Sequence, residues 1–350
     1  MTKRKLTTYG LLFLYLLSFN FIFFSTSVEA AQTKPVVMGY YSKDWYTDKD
    51  SYHSLAKYAN YMDYIATFTA RVDSKGNLIT DFIPSEGITE AKEKKVKPLL
   101  VVHNMYNGGI DSGSAAAVLG DPNKRWKLAN NITSLVKKHG YAGVNIDLEA
   151  VPPRNRDDYS KFLWELKGLL KPGGYLLTAA VPAKNSDQRN NNWSGAYNYN
   201  ELGQACDYVM LMTYDEHWFG GTPGPVASLP WVQSVLDYAV KQMPSQKILL
   251  GLAGYGYDWS SQAKTKSIKW KDVNNLVNQR GAQILWDNTS STPYFYYWKG
   301  TEKHEVWFEN KYSLGIKMGL VKSYKLGGVG FWRLGFEDDT FWQTINQQIR

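Results

Sequence analysis

Asn145, Asp147 and Glu149 occupy every second position of the segment Gly143-Val144-Asn145-Ile146-Asp147-Leu148-Glu149. In an extended strand side chains alternate between faces, so these three share one face while Val144, Ile146 and Leu148 share the other. Buried without partners, each polar group would cost on the order of 1 to 3 kcal/mol, and an ionised carboxylate more. One reading is a polar network that plugs an interior. The other is a reactive site, since the working residues of a barrel gather at the C-terminal ends of its strands. Carboxylates two residues apart lie about 6 to 7 Å apart at Cα, close enough for ionisation of one to raise the pKa of the other. Glu149, nearer the strand's end, then stays protonated near neutral pH and can donate a proton to a leaving group, with Asp147 as its charged neighbour.

Apolar, strand-like runs recur at residues 35–41, 61–68, 96–103, 141–149, 175–181, 207–213, 248–255 and 327–332. Their continuous Val, Ile and Leu content indicates strands buried on both faces, as in a parallel sheet covered by helices. Between them lie segments of helical spacing. Residues 157–170 set Phe162, Leu163, Leu166, Leu169 and Leu170 on one stripe and stop at Pro172-Gly173-Gly174. Eight such strands predict an α/β fold, a (β/α)8 TIM barrel. The rival is a doubly wound open sheet, but the glycine-rich phosphate loops usual in such sheets have no counterpart here. The seventh and eighth runs are much farther apart than other neighbours. A small α+β insertion subdomain between strands 7 and 8 is therefore expected at about residues 258–307. It holds Ile284-Leu285-Trp286, the aromatic run from Pro293 to Trp298, and Glu305-Val306-Trp307-Phe308. Rising from the C-terminal face, this piece would form a wall beside the mouth.

The 350 residues, 44% of them hydrophobic, easily support a continuous core and exclude a disordered or coiled-coil chain. Aromatics are the outlier: 13 Trp, 25 Tyr and 14 Phe make up 15% of the chain, more than a core alone is expected to need, so some should line a binding surface. Lys3, Arg4 and Lys5 precede an apolar run over 9–24, and Ala30 ends a small-residue pattern. This reads as a signal peptide over residues 1–30, cleaved near Ala30 and directing the rest out of the cytoplasm; an uncleaved membrane anchor is the alternative. Residues 31–350 are expected to form one catalytic unit. The single cysteine, Cys206, cannot close an intramolecular disulfide, and the five histidines show no metal-ligand spacing. No metal or cofactor is expected. A net charge of +8 without a run of five basic residues gives no case for a nucleic-acid partner. The chain is expected to act as a monomer.

The line from Ala142 to Glu149 resembles the D-G-x-D-x-D-x-E signature of glycoside hydrolase family 18, the chitinase family. Met212-Thr213-Tyr214-Asp215 at the end of the sixth strand, Gly39-Tyr40-Tyr41 on the first and Trp332 on the eighth agree with it in order and position. More narrowly, Met212 to Trp218, Pro223-Gly224-Pro225 and Gly330-Phe331-Trp332-Arg333 look like the bacterial subgroup of spore-cortex-lytic N-acetylglucosaminidases. Members of that subgroup often carry cell-wall-binding LysM repeats, which this sequence lacks, so wall attachment is expected to come from the barrel or a partner, or to be absent. The resemblance implies cleavage of a polysaccharide containing N-acetylglucosamine, with peptidoglycan first and chitin or a chitooligosaccharide second. A non-hydrolytic sugar-binding barrel is the reading from another class.

The resemblance also implies a mechanism in which the substrate's acetamido oxygen, not a protein group, attacks the anomeric carbon. Glu149 would be the acid and later the base. Asp147 would orient the acetamido group, and Tyr214 would hydrogen-bond its carbonyl. Met212 and Asp215 would shape the pocket and Trp332 would floor it. The first signature aspartate is replaced by Ala142 and the middle one by Asn145, whose amide can still hydrogen-bond Asp147 but cannot take up its charge. Asn104 is placed either for a sugar hydroxyl or as a loop cap, and Tyr40 either at the pocket base or in the core. Trp218, Trp259, Trp286 and Trp298 are candidates for stacking on further sugar rings or for anchoring loops.

Overall fold

The computed structural model describes residues 34–80 and 82–349. The leader expected over residues 1–30 lies outside them. Eight parallel strands form the centre: β1 (Val36–Tyr41), β2 (Tyr64–Val72), β3 (Lys97–His103), β4 (Gly143–Asp147), β5 (Leu176–Pro182), β6 (Tyr208–Met212), β7 (Ile248–Ala253) and β8 (Gly328–Trp332). Each pairs with its sequence neighbour, and β1 pairs with both β2 and β8, so the sheet closes into a barrel. All eight predicted strands are present.

Alternation along the strands divides the core in two. Outward residues such as Val144, Ile146, Val181, Val209 and Leu250 pack beneath the surrounding helices. Inward residues such as Met38, Tyr40, Leu99, Val101, Met210 and Leu249 fill the barrel itself. The helix Arg156–Leu170 shows why the covering layer forms. Phe162, Leu163, Leu166 and Leu170 are buried, Leu169 is partly buried, and Gly174 at φ 69° turns the chain into β5. The barrel closes tightly at Gly143, where a Cβ would sit 2.2 Å from the carbonyl oxygen of Leu176 on β5. Only glycine fits that approach.

Between β7 and the helix Lys311–Ser323 the chain builds a five-stranded antiparallel sheet with a helix, Trp270–Arg280, on one side. Its strands are Tyr255–Ser260, Lys266–Lys269, Leu285–Asp287, Thr292–Lys299 and Glu302–Trp307. The insertion thus begins at Tyr255 rather than near residue 258. The seventh apolar run is two strands broken at Gly254, a position pressed against the Phe331 ring. One face of the small sheet sets Phe295, Tyr297 and Val306 against Val273, Leu276 and Val277 of its helix. The other sets Tyr255, Tyr257, Trp259, Trp307 and Tyr294 beside Tyr214 and Trp332. Among the described residues no helix is long and apolar enough to cross a membrane.

Candidate active site

The eight strands bring their C-terminal ends to one face, and most of the predicted site residues meet there. Asn145 and Asp147 point inward from β4, as their spacing requires. Asn145 is fully buried: its Oδ1 accepts from the Tyr40 hydroxyl at 3.1 Å, and its Nδ2 donates to Thr178 Oγ1 at 2.9 Å. The expected amide bond to Asp147 is not formed. A bond across the barrel to Tyr40 on β1 and one to Thr178, its register neighbour on β5, satisfy Asn145 instead, and Tyr40 is thereby part of the barrel core.

Asp147 is 5% exposed, and its Oδ1 has no hydrogen-bond partner. Burial raises its pKa to about 7. A buried acceptor without a donor is costly unless a ligand supplies one. Glu149 is held well above the ordinary carboxylate range, first by burial, then by the charges of Asp147 and Asp215. Its proton is thus retained at neutral pH. His103, register neighbour of Asp147, is stacked at 4.0 Å on Phe68 and pushed by burial down to about 4, so it is neutral and no rival proton donor.

Glu149 itself is not in the strand. The ladder of β4 ends at the Asp147–His103 pair, so the segment Leu148–Val151 lies beyond it, with Ala150 at φ 46°. Asn104 bridges that gap: its Oδ1 accepts from the Glu149 N–H at 2.8 Å and its Nδ2 donates to the Glu149 carbonyl at 2.9 Å. The side chain is fully buried, with a further bond from Nδ2 to the Asp111 carbonyl at 3.2 Å. Asn104 therefore does not face a sugar hydroxyl, as expected on one reading. Its amide is committed to backbone groups, a loop-holding role.

Met212, half-buried at the end of β6, leads into Tyr214 and Asp215. Tyr214 packs edge-on to Tyr255 at 6.2 Å, and burial, then Tyr40 and the charges of Asp147, Asp215 and Glu149, hold its hydroxyl well above the usual range. Asp215 sits at φ 62°, where its Oδ1 accepts from the hydroxyls of Tyr255 at 2.6 Å and Tyr257 at 2.8 Å. Burial raises its pKa and those two bonds oppose the rise. Both tyrosines belong to the first insertion strand and were not anticipated. Their period-two spacing directly after β7 was the available signal. Trp332 lies 5.6 Å from Tyr40 and edge-on to Phe68 at 5.6 Å, closing an aromatic floor. Of the other tryptophans, Trp259 is buried with its Nε1 donating to the Gly221 carbonyl at 3.2 Å, a loop anchor. Trp218, Trp286 and Trp298 are exposed, Trp298 at 63%.

Among the described residues, no group of three or more His, Cys, Asp or Glu side chains could hold a metal ion. A protonated carboxyl beside a second buried acid, at the mouth of a barrel walled with aromatics, has what hydrolysis of a glycosidic bond asks of a protein. That is the class: a barrel glycosidase. The chain belongs to glycosyl hydrolases family 18, whose model matches residues 36–337. It is 37% identical over 306 residues to the uncharacterized glycosylase YvbX of Bacillus subtilis, covering 86% of this chain and 88% of that one. The spore cortex-lytic enzyme SleL of Bacillus megaterium superposes with a TM-score of 0.84 at 28% identity, over 90% of this chain and 74% of that one. A chitinase from Chromobacterium violaceum gives 0.84 at 31% identity, over 90% and 98%.

Proposed function

We propose that the protein cleaves β-1,4 bonds next to N-acetylglucosamine in peptidoglycan, retaining configuration by substrate assistance. The observation that carries this reading is the partnerless Oδ1 of buried Asp147 beside a proton-bearing Glu149. An acetamido N–H would supply the missing donor, and the anion behind it would stabilise the oxazolinium charge as the acetamido oxygen attacks. Glu149 protonates the glycosidic oxygen and later activates water. Tyr214 bonds the acetamido carbonyl and Trp332 stacks beneath the sugar. Asn145 holds Tyr40 at the pocket base, while Met212 and Asp215 shape the wall. Export through residues 1–30 would bring the enzyme to the wall.

Similarity to SleL, a spore cortex-lytic enzyme, favours peptidoglycan. Similarity to a chitinase supports chitin as the second reading. Mass spectrometry of fragments released from spore cortex, vegetative peptidoglycan and chitin in parallel separates them. Muropeptides with N-acetylglucosamine at the new reducing end support the proposal, chitobiose alone supports the second reading, and no product from any substrate leaves a sugar-binding barrel.

A pH dependence follows. The productive pair carries one proton, with Asp147 ionised and Glu149 neutral. Burial raises both, Asp147 to about 7, and the Asp147 charge lifts Glu149 further. kcat/KM should rise as pH approaches about 7 and fall again where Glu149 deprotonates. Chitooligosaccharide hydrolysis followed from about pH 4 to about pH 9 checks this. A maximum between about pH 4 and about pH 5, the range of unperturbed carboxyls, contradicts it.

A further inference from the structure

We propose that Asn104 and Tyr197 are positioning residues that set the presentation of Glu149, an inference that rests on Glu149 being the acid. Beyond the end of β4 the backbone has no ladder partners, and side chains take up four of its groups: the Leu148 carbonyl, the Glu149 N–H and carbonyl, and the Val151 N–H. Two buried side chains, Asn104 and Tyr197, make these bonds. Asn104 binds both groups of Glu149, at 2.8 and 2.9 Å. The Tyr197 hydroxyl donates to the Leu148 carbonyl at 2.7 Å and accepts from the Val151 N–H at 3.3 Å. A primary amide can donate and accept side by side like a peptide group, so Asn104 acts as one more rung supplied from the end of β3.

The two grips come from the segments that follow the strands on either side of β4, and the groups they bond flank Ala150, whose φ of 46° a non-glycine residue adopts at a cost. Each grip is itself anchored. The Asn104 carbonyl accepts from the Asp111 N–H at 2.8 Å, and Asp111 caps the helix Ser112–Leu119. Tyr197 is fully buried, edge-on to Tyr159 at 5.4 Å, and its carbonyl accepts from Lys184 Nζ at 2.6 Å. The bonds of both residues go to backbone groups and none to the Glu149 carboxyl. They act by fixing the backbone from which it projects, and displacement of a reacting group by about 1 Å can cost about 10²-fold in rate.

Tyr197→Phe removes only the hydroxyl, and Asn104→Ala removes the amide rung. Turnover on chitooligosaccharide, affinity for the same oligosaccharide measured by tryptophan fluorescence on Glu149→Gln backgrounds, and thermal melting are read together. The expected result is a kcat lowered about 10-fold or more in each, with affinity within about twofold of the parent. The alkaline limb of the pH profile should also move to lower pH, because a loosened Glu149 is better solvated. If Asn104→Ala does not fold, Tyr197→Phe decides alone. A folded Tyr197→Phe enzyme with wild-type kcat and an unmoved alkaline limb overturns the proposal. An unimpaired Glu149→Gln enzyme would instead overturn the assignment of the acid, whatever the two positioning variants do.

Discussion

Glu149→Gln is expected to lower kcat on an N-acetylglucosamine glycan by about 10²- to 10⁴-fold while the affinity for oligosaccharide stays within a few fold. Glutamine keeps the shape of the side chain and its reach into the mouth, but it cannot give a proton to the leaving oxygen. The environment raises the Glu149 carboxyl through burial and the charges of Asp147 and Asp215, so in the wild type the proton is present where it is used. The substitution removes a carboxyl that makes no hydrogen bond to Asp147 and whose ionisation the Asp147 charge opposes, and no loss of melting temperature is expected. Steady-state release of reducing ends, with ligand titration on the same preparation, checks the result. A kcat within threefold of wild type would remove Glu149 from the chemistry.

Asp147→Asn is expected to cost about 10²-fold or more, because the oxazolinium charge then develops against a dipole in place of an anion inside a low-dielectric pocket. The effect should be confined to the chemistry, since the bonds of Asn145 run to Tyr40 and Thr178 and do not depend on Asp147. A second readout separates this role from a structural one. The Asp147 charge is one of the causes that raise Glu149, so its removal should move the alkaline limb of residual activity to lower pH. Full activity in Asp147→Asn would discard substrate assistance and leave direct attack by water or a protein nucleophile.

Much of the scaffold could be read from the chain because its signals are local. Eight apolar runs became the eight barrel strands, and the wide gap between the seventh and eighth became the insertion sheet, which begins at Tyr255 because the seventh run is interrupted at Gly254. The placement of the candidate residues was legible where it follows strand alternation, at Asn145 and Asp147, and where they close a strand, at Met212 and Trp332. It was not legible where a hydrogen bond joins distant segments. The role of Asn104 turned on a backbone 45 residues away, and that of Asn145 on a hydroxyl 105 residues away. Tyr197 carried no motif and emerged only from its partners, while Tyr255 and Tyr257 offered only their period-two spacing, which does not name Asp215 as their partner. The aromatic excess divides likewise: Trp259 is an anchor and Trp298 faces outward, although both looked alike in the chain.

The sequence by itself determined which residue types line up on the fourth strand, since a period of two is a property of the extended backbone and needs no neighbour. It also determined the order of buried strands from which a closed parallel barrel could be inferred. Only the tertiary structure decided how Asp147 was left without a donor, how the Leu148–Val151 segment came to be held by Asn104 and Tyr197, and how Asp215 was paired with two insertion tyrosines. Those outcomes depend on register between segments far apart in the chain, and on how burial and charge combine once they meet. Periodicity places a side chain on a face, while packing assigns its partners and therefore its protonation and its task.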